Sequence, residues 1–249
     1  MLGSWLKRRR RRKHLSAGFP AAWLPTIERL SFYGTLGPDG QQRLRQTTQV
    51  LVVEKEYEGC QGVVVDDDMR VTIAAQAALL LLGLEHDYYR NVQTILIYPS
   101  SYVTAPRTDA AGVVRAGHAN LGEAWSNGPV ILSWDSVKRG AQNGEDGRNL
   151  VFHEFAHKLD MLDGLADGTP PLDSRRDLSH WVATMSKEFD RLRDAEEHRR
   201  ATLLDKYGAT NPAEFFAVAT ECFFERGDDL RERHPELFAA MAGYFGTGS

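Results

Sequence analysis

The sequence predicts an α+β fold, and three observations carry that expectation. Short β-like runs at residues 49–53, 62–65, 94–98 and 130–134 all lie in the earlier part of the chain. Helical patterns at residues 149–162, 179–204, 212–225 and 235–245 fill the remainder. Strands gathered ahead of helices, without strict alternation, favour α+β over a doubly wound sheet. In addition, 249 residues with 42% hydrophobic content suffice for one large domain with its own core. The expected architecture is therefore a small N-terminal β-sheet joined to a mostly helical C-terminal half.

Along the chain, residues 1–18 come first and contain the unbroken basic run Lys7 to Lys13. Like charges in sequence repel one another, so this segment reads as a flexible, solvated arm. Trp5 and Leu6 would give it a small apolar anchor if it met an anionic lipid surface. The folded domain is expected over residues 19–249. Pro20 and Pro25 bracket an irregular entry, and Gly37-Pro38-Asp39-Gly40 reads as a turn before a short helix. Residues 49–53 and 62–65 have strand character. Residues 73–84 read as a buried Ala/Leu helix with Gln76 inside it, well short of the roughly 18 apolar residues that span a bilayer. Residues 94–98, stopped by Pro99, and residues 130–134 are further strands, and the Gly-, Ala- and Asn-rich stretch 104–128 suggests loops with a hairpin.

Composition narrows the chemistry. The net charge is −4, but the basic run holds seven of the thirty cations, which leaves 23 cations against 34 Asp and Glu elsewhere. That acidic body argues against nucleic acid as a specific ligand, because phosphate binding needs a positive face. Cys60 and Cys222 are the only cysteines, too few for a disulfide framework or a thiolate zinc site. Any metal must be held by His and carboxylate. The stretch after the basic run contains Pro20 and lacks the apolar core of a secretory signal, so a cytoplasmic protein is expected.

The most informative segment is His153-Glu154-Phe155-Ala156-His157. Residues four apart on a helix share a face, so two imidazoles at this spacing can point at one ion. Glu154, one step round, can reach a water at the metal without binding the metal itself. Leu150, Val151, Phe152, Phe155, Ala156 and Leu159 make the helix apolar on several sides, which suits a buried active-site helix. A third ligand is then required, since catalytic zinc sites use three protein ligands and keep one position open. Asp160 shares the face of His153, but its expected role is to brace a His ring or the helix. Asp163 marks the helix end, and His180, His198 and His234 have no partner at useful spacing. Residues 211–225 are the better source: Asn211 and Pro212 start a helix whose apolar body carries Glu214 and Glu221, seven apart on one stripe. A carboxylate among Phe215, Phe216, Val218 and Phe223 is costly unless a positive charge meets it. Glu214 also fits a capping box with Asn211. Spacing alone leaves Glu214 and Glu221 both open as ligands.

The segments HEFAHKLD and NPAEFFAV, with IAAQAALLLLGL and Gly122-Glu-Ala-Trp125 followed by Gly128-Pro-Val-Ile-Leu-Ser-Trp134, resemble the Mlc titration factor A family of zinc metallopeptidases. The resemblance spans roughly residues 20–245. Members are similar in active-site arrangement to the catalytic domain of anthrax lethal factor, a gluzincin-like protease. The resemblance implies a single zincin-like metallopeptidase domain binding one Zn2+ per chain. It implies Glu214 as the third ligand beside His153 and His157, and it places Tyr207, seven residues earlier, in the active site. It further implies hydrolysis of short peptides, with Glu154 as general base and the Tyr207 hydroxyl supporting the oxyanion. In enterobacteria the family also binds a transcriptional repressor, Mlc, which gives the alternative expectation of a regulatory binding protein. The strand at 130–134, if it forms a sheet edge, could pair with an extended substrate backbone.

Overall fold

A computed structural model describes residues 2–100, 104–108, 114–117, 128–172 and 174–246. The chain begins with helix α1 (Leu2–Ser16), where sequence alone predicts a flexible arm. Two facts account for the helix. Lys and Arg are good helix formers, and their repulsion is relieved from a distance. Arg11 donates to both carboxylate oxygens of Glu54 at 2.7 and 2.8 Å and to Asp87 at 2.6 Å, and its guanidinium lies over the Tyr88 ring. The Gln49 amide donates to the carbonyls of His14 and Gly18, satisfying the C-terminal end of the helix.

A short helix α2 (Leu24–Glu28) leads to α3 (Pro38–Glu54), which starts at the expected turn but runs far beyond it. Residues 49–53 belong to this helix and not to a strand. Leu44, Thr47, Thr48 and Leu51 form a buried stripe at helical spacing, and packing against the next helix outweighs the β preference of Val50, Val52 and Val53. Strand β1 (Glu56–Gly59) follows, and the run at 62–65 is irregular where a strand is expected. The cause lies at Gly59: a Cβ there would sit 1.9 Å from the Val63 carbonyl oxygen, so the chain doubles back over β1 through a turn with positive φ at Gln61 and Gly62. Helix α4 (Asp67–Leu79), capped by Asp66 onto the Met69 amide, is buried along most of its length.

Strand β2 (Thr94–Tyr98) stands between β1 and β5 (Val130–Ser133) in a three-stranded parallel sheet of order β1-β2-β5. Its register is Glu56↔Thr94 on one side and Ile95↔Val130 on the other. Between β2 and β5, strands β3 (Thr104–Thr108) and β4 (Val114–Gly117) form the expected antiparallel hairpin. The motif residues Gly122 to Trp125 lie outside the described residues. After β5 come α5 (Trp134–Gln142), α6 (Leu150–Asp160), α7 (Arg175–Glu197), α8 (Pro212–Glu225), α9 (Gly227–Arg233) and α10 (Pro235–Phe245). The core gathers Phe152 and Phe155 of α6, Phe215 and Phe216 of α8, Ile73 of α4 and Ile95 of β2, all essentially inaccessible to solvent. The α+β expectation therefore holds. Among the described residues no helix is long and apolar enough to cross a membrane.

Candidate metal centre

Helices α6 and α8 pack against each other, and each is started by an asparagine. The Asn149 side chain accepts from the amides of Val151 and Phe152, and Asn211 accepts from the Glu214 amide. These caps fix where each helix begins, and so which residues meet at the crossing. The Glu214 carboxylate does not fold back to Asn211 as a capping box would require. It reaches across to α6, with Oε2 at 3.0 Å from Nε2 of His153 and 3.3 Å from Nε2 of His157. The two Nε2 atoms are 3.2 Å apart. His153, His157 and Glu214 each offer a ligand atom, and these atoms lie within 4.8 Å of one another.

The electrostatics of this cluster call for a cation. Burial disfavours the charge on Glu214, yet hydrogen bonds and charge from His153 and His157 hold its carboxyl well below the usual carboxylate range. Burial likewise opposes a charged His153, while Glu214 and Glu221 push it up to about 10. Without an ion, a protonated His153 supplies the positive charge that these carboxylates require, and a cation held by His153, His157 and Glu214 would take over that part. A donor set of two imidazole nitrogens and one carboxylate oxygen fits a divalent metal ion such as zinc.

Glu221 has a different place. Its Oε2 lies 3.1 Å from Nδ1 of His153, and its Oε1 accepts from the Asn149 amide at 2.7 Å. An acceptor on Nδ1 keeps one proton there, so the second proton of the charged ring lies on Nε2 towards Glu214, the position a metal ion would take in its place. Behind it runs a buried polar chain: the Asn149 side-chain amide donates to Gln76 of α4 at 2.9 Å and to Glu225 at 3.1 Å. Neither Gln76 nor Asn149 stands at a spacing that marks it as part of the site. The available signal was a lone amide inside the apolar run of α4.

The remaining expected residues divide. Glu154 is half-buried; burial raises its pKa, and the charges of His153, His157 and Glu214 all act on it. Tyr207 lies in a single 3-10 turn before α8, its ring centroid 5.9 Å from that of His153, and burial together with Glu214 raises its phenol pKa. Asp160 does not brace a His ring: its Oδ2 accepts from the Gly168 amide at 2.9 Å, and both its Oδ1 and Nδ1 of His157 lack a partner among the described residues. Gly168 has φ +78°, its carbonyl accepts from the Trp181 indole, and a Cβ on it would lie 2.4 Å from the Pro212 carbonyl oxygen. Asp163 accepts from the Leu165 amide just beyond the helix end. His198 bonds within α7 and His234 pairs with Glu188, so neither joins the cluster. His180 lines a separate cavity beside Trp181. Strand β5 forms one edge of the sheet among the described residues and contacts α6, and Lys158 donates to the Gly128 carbonyl at the entry to β5.

The model of the glucose-regulated metallo-peptidase M90 family matches residues 5–246. An uncharacterized protein of Synechocystis sp. is 38% identical over 91% of this chain and 84% of its own length. Mlc titration factor A of Yersinia pestis is 32% identical over 82% of this chain and 77% of its own length, and that of Yersinia pseudotuberculosis matches equally. The match runs from within α1 to the end of α10 and includes both helices of the histidine–carboxylate cluster, so the chain belongs to the glucose-regulated metallo-peptidase M90 family.

Proposed function

We propose that this protein is a zinc-dependent peptidase that cleaves short peptides, with His153, His157 and Glu214 as the metal ligands. The observation that carries this reading is the meeting of those three groups beside Glu154 where two helices cross. When bound, zinc would supply a Lewis acid that lowers the pKa of water from about 15.7 toward 7 and polarises the scissile carbonyl. Glu154 would accept the proton of the attacking water and pass it to the leaving amine, and a carboxylate with a raised pKa suits both steps. The Tyr207 hydroxyl would donate to the developing oxyanion, and Glu221 would hold the His153 ring in its tautomer. The edge of β5, unpaired among the described residues, would take an extended substrate as an added strand. Unpaired Cys60 and Cys222 fit a reducing cytoplasm as the working compartment.

The test is metal analysis of the purified chain together with hydrolysis of a small peptide panel. Glu154→Gln should keep the zinc and lose turnover by roughly 100- to 10,000-fold. Full activity in that variant would exclude Glu154 as the base. A second reading has its own support in the names of the Yersinia relatives, Mlc titration factor A: the chain would sequester an Mlc-type repressor, with the metal site secondary. Titration of such a repressor with wild type and with Glu154→Gln separates the two, since binding alone has no need of the base.

A further inference from the structure

The basic run from Lys7 to Lys13 has no part in the chemistry above, and helix α1 divides it between two faces. At 100° per residue, positions 7, 11 and 14 lie on one side and positions 5, 9, 12, 13 and 16 on the other. The inner side is turned to α3. The ion pairs of α1 among the described residues all fall there, from Lys7 and Arg11 to Glu54 and Asp87, and the His14 carbonyl accepts from Gln49. The outer stripe gathers Trp5, Arg9, Arg12, Lys13 and Ser16, every one exposed, with Arg10 exposed alongside. Trp5 is 50% exposed, and the Arg9 guanidinium lies 5.5 Å from its ring centroid.

The inner pairs thus lock the helix in place while the outer cations are held close together, against their own repulsion. We infer that this outward stripe docks the protein on a membrane surface rich in anionic phospholipid. Arg9, Arg10, Arg12 and Lys13 meet the lipid phosphates, and the Trp5 ring enters the headgroup layer, where an amphipathic indole is favoured. The indole selects lipid over nucleic acid, because a duplex backbone offers no apolar layer to receive it. A long polyanion would also run past the stripe and meet a body with 34 Asp and Glu against 23 remaining cations.

Cosedimentation of the full chain with phosphatidylglycerol-containing vesicles and with pure phosphatidylcholine vesicles tests this. Binding to the anionic vesicles alone, weakening with added salt, is expected. The triple variant Arg9→Gln, Arg12→Gln, Lys13→Gln should lose about 100-fold in affinity, near fivefold for each cation at the surface. Trp5→Ala should lose about tenfold. A control triple with the same charge change at exposed sites elsewhere, Arg43→Gln, Arg175→Gln and Arg176→Gln, should bind like wild type. Unchanged circular dichroism and melting temperature would show that the stripe variants remain folded. Absence of binding to anionic vesicles, or an equal loss in the control triple, overturns the inference. So does tighter binding of a duplex DNA probe through the same three cations, which would reassign the stripe to nucleic acid.

Discussion

Two helix seams in this molecule set opposite charges against each other, and they do so in different dielectric surroundings. Across α6 and α8, the Glu214 and Glu221 side chains are 8% and 10% exposed and both face His153. Across α1 and α3, Arg11 and Glu54 are similarly covered, but Asp87 and Lys7 stand 50% and 42% exposed at the same junction. In the first seam solvent has little access to the two carboxylates, so a lost partner is poorly replaced and each group has one workable position. In the second, solvent supplies alternatives, and the pairs serve to dock a helix. Function that depends on fixed atoms belongs in the first kind of seam.

The sharpest way to break this contrast is to truncate the two carboxylates of α8 separately. Glu214→Ala should weaken metal affinity by roughly 100- to 1000-fold, the share of one ligand in the ~10–16 kcal/mol of a zinc site. Glu221→Ala should cost about 10- to 100-fold and leave a site that still fills in excess zinc. Metal titration with a chromophoric chelator separates them, and the reverse order would exchange their roles.

Next in size is a pH effect in the other seam. Lys55, at the end of α3, donates to the carbonyls of Tyr89 and Val92, and burial, with Lys7 and Arg11 adding to it, lowers its pKa to about 8. A lysine held below its free-chain value binds fewer protons folded than unfolded between about 8 and 10.5. Stability should therefore rise as pH climbs through that window, by roughly 3 kcal/mol at 1.36 kcal/mol per unit. Lys55→Met should flatten the rise in urea denaturation series; an identical slope would show that Lys55 is already solvated.

Tyr207→Phe returns to the first seam and should slow peptide hydrolysis about 10- to 100-fold with zinc still bound. A rate equal to wild type would remove the hydroxyl from the reaction. The smallest effect belongs to Arg11→Ala, which should cost about 1 kcal/mol in thermal unfolding. A loss as large as that from a buried histidine or glutamate would make the two seams alike.

How much of this was legible in the sequence follows the same division. The bounds of α8 and α10 could be read because Pro212 and Pro235 mark first turns and the apolar runs after them are unbroken. The two histidines could be read because the geometry of one helix dictates their approach. Which glutamate faces Nε2 could not, because Glu214 and Glu221 share a stripe and both touch His153, one on each ring nitrogen. That choice depends on where α8 crosses α6, a long-range fact. The docking of α1 was hidden for a related reason: the carboxylates that neutralise it lie 43 and 76 residues away. The strand reading of 49–53 failed because local β preference yields to a buried helical stripe.

Gly168 carries a consequence that reaches beyond its own turn. One backbone corner simultaneously holds the far end of α6 through Asp160, abuts the opening residue of α8 at Pro212, and receives the Trp181 indole. The gap between α6 and α8 is thereby gauged from outside, by a residue with no side chain. A methyl group placed there would act as a wedge between the helices, leaving every donor intact and the span between them wrong. Attempts to retune the centre for another ion or another bond would do well to hold this corner constant and vary the walls.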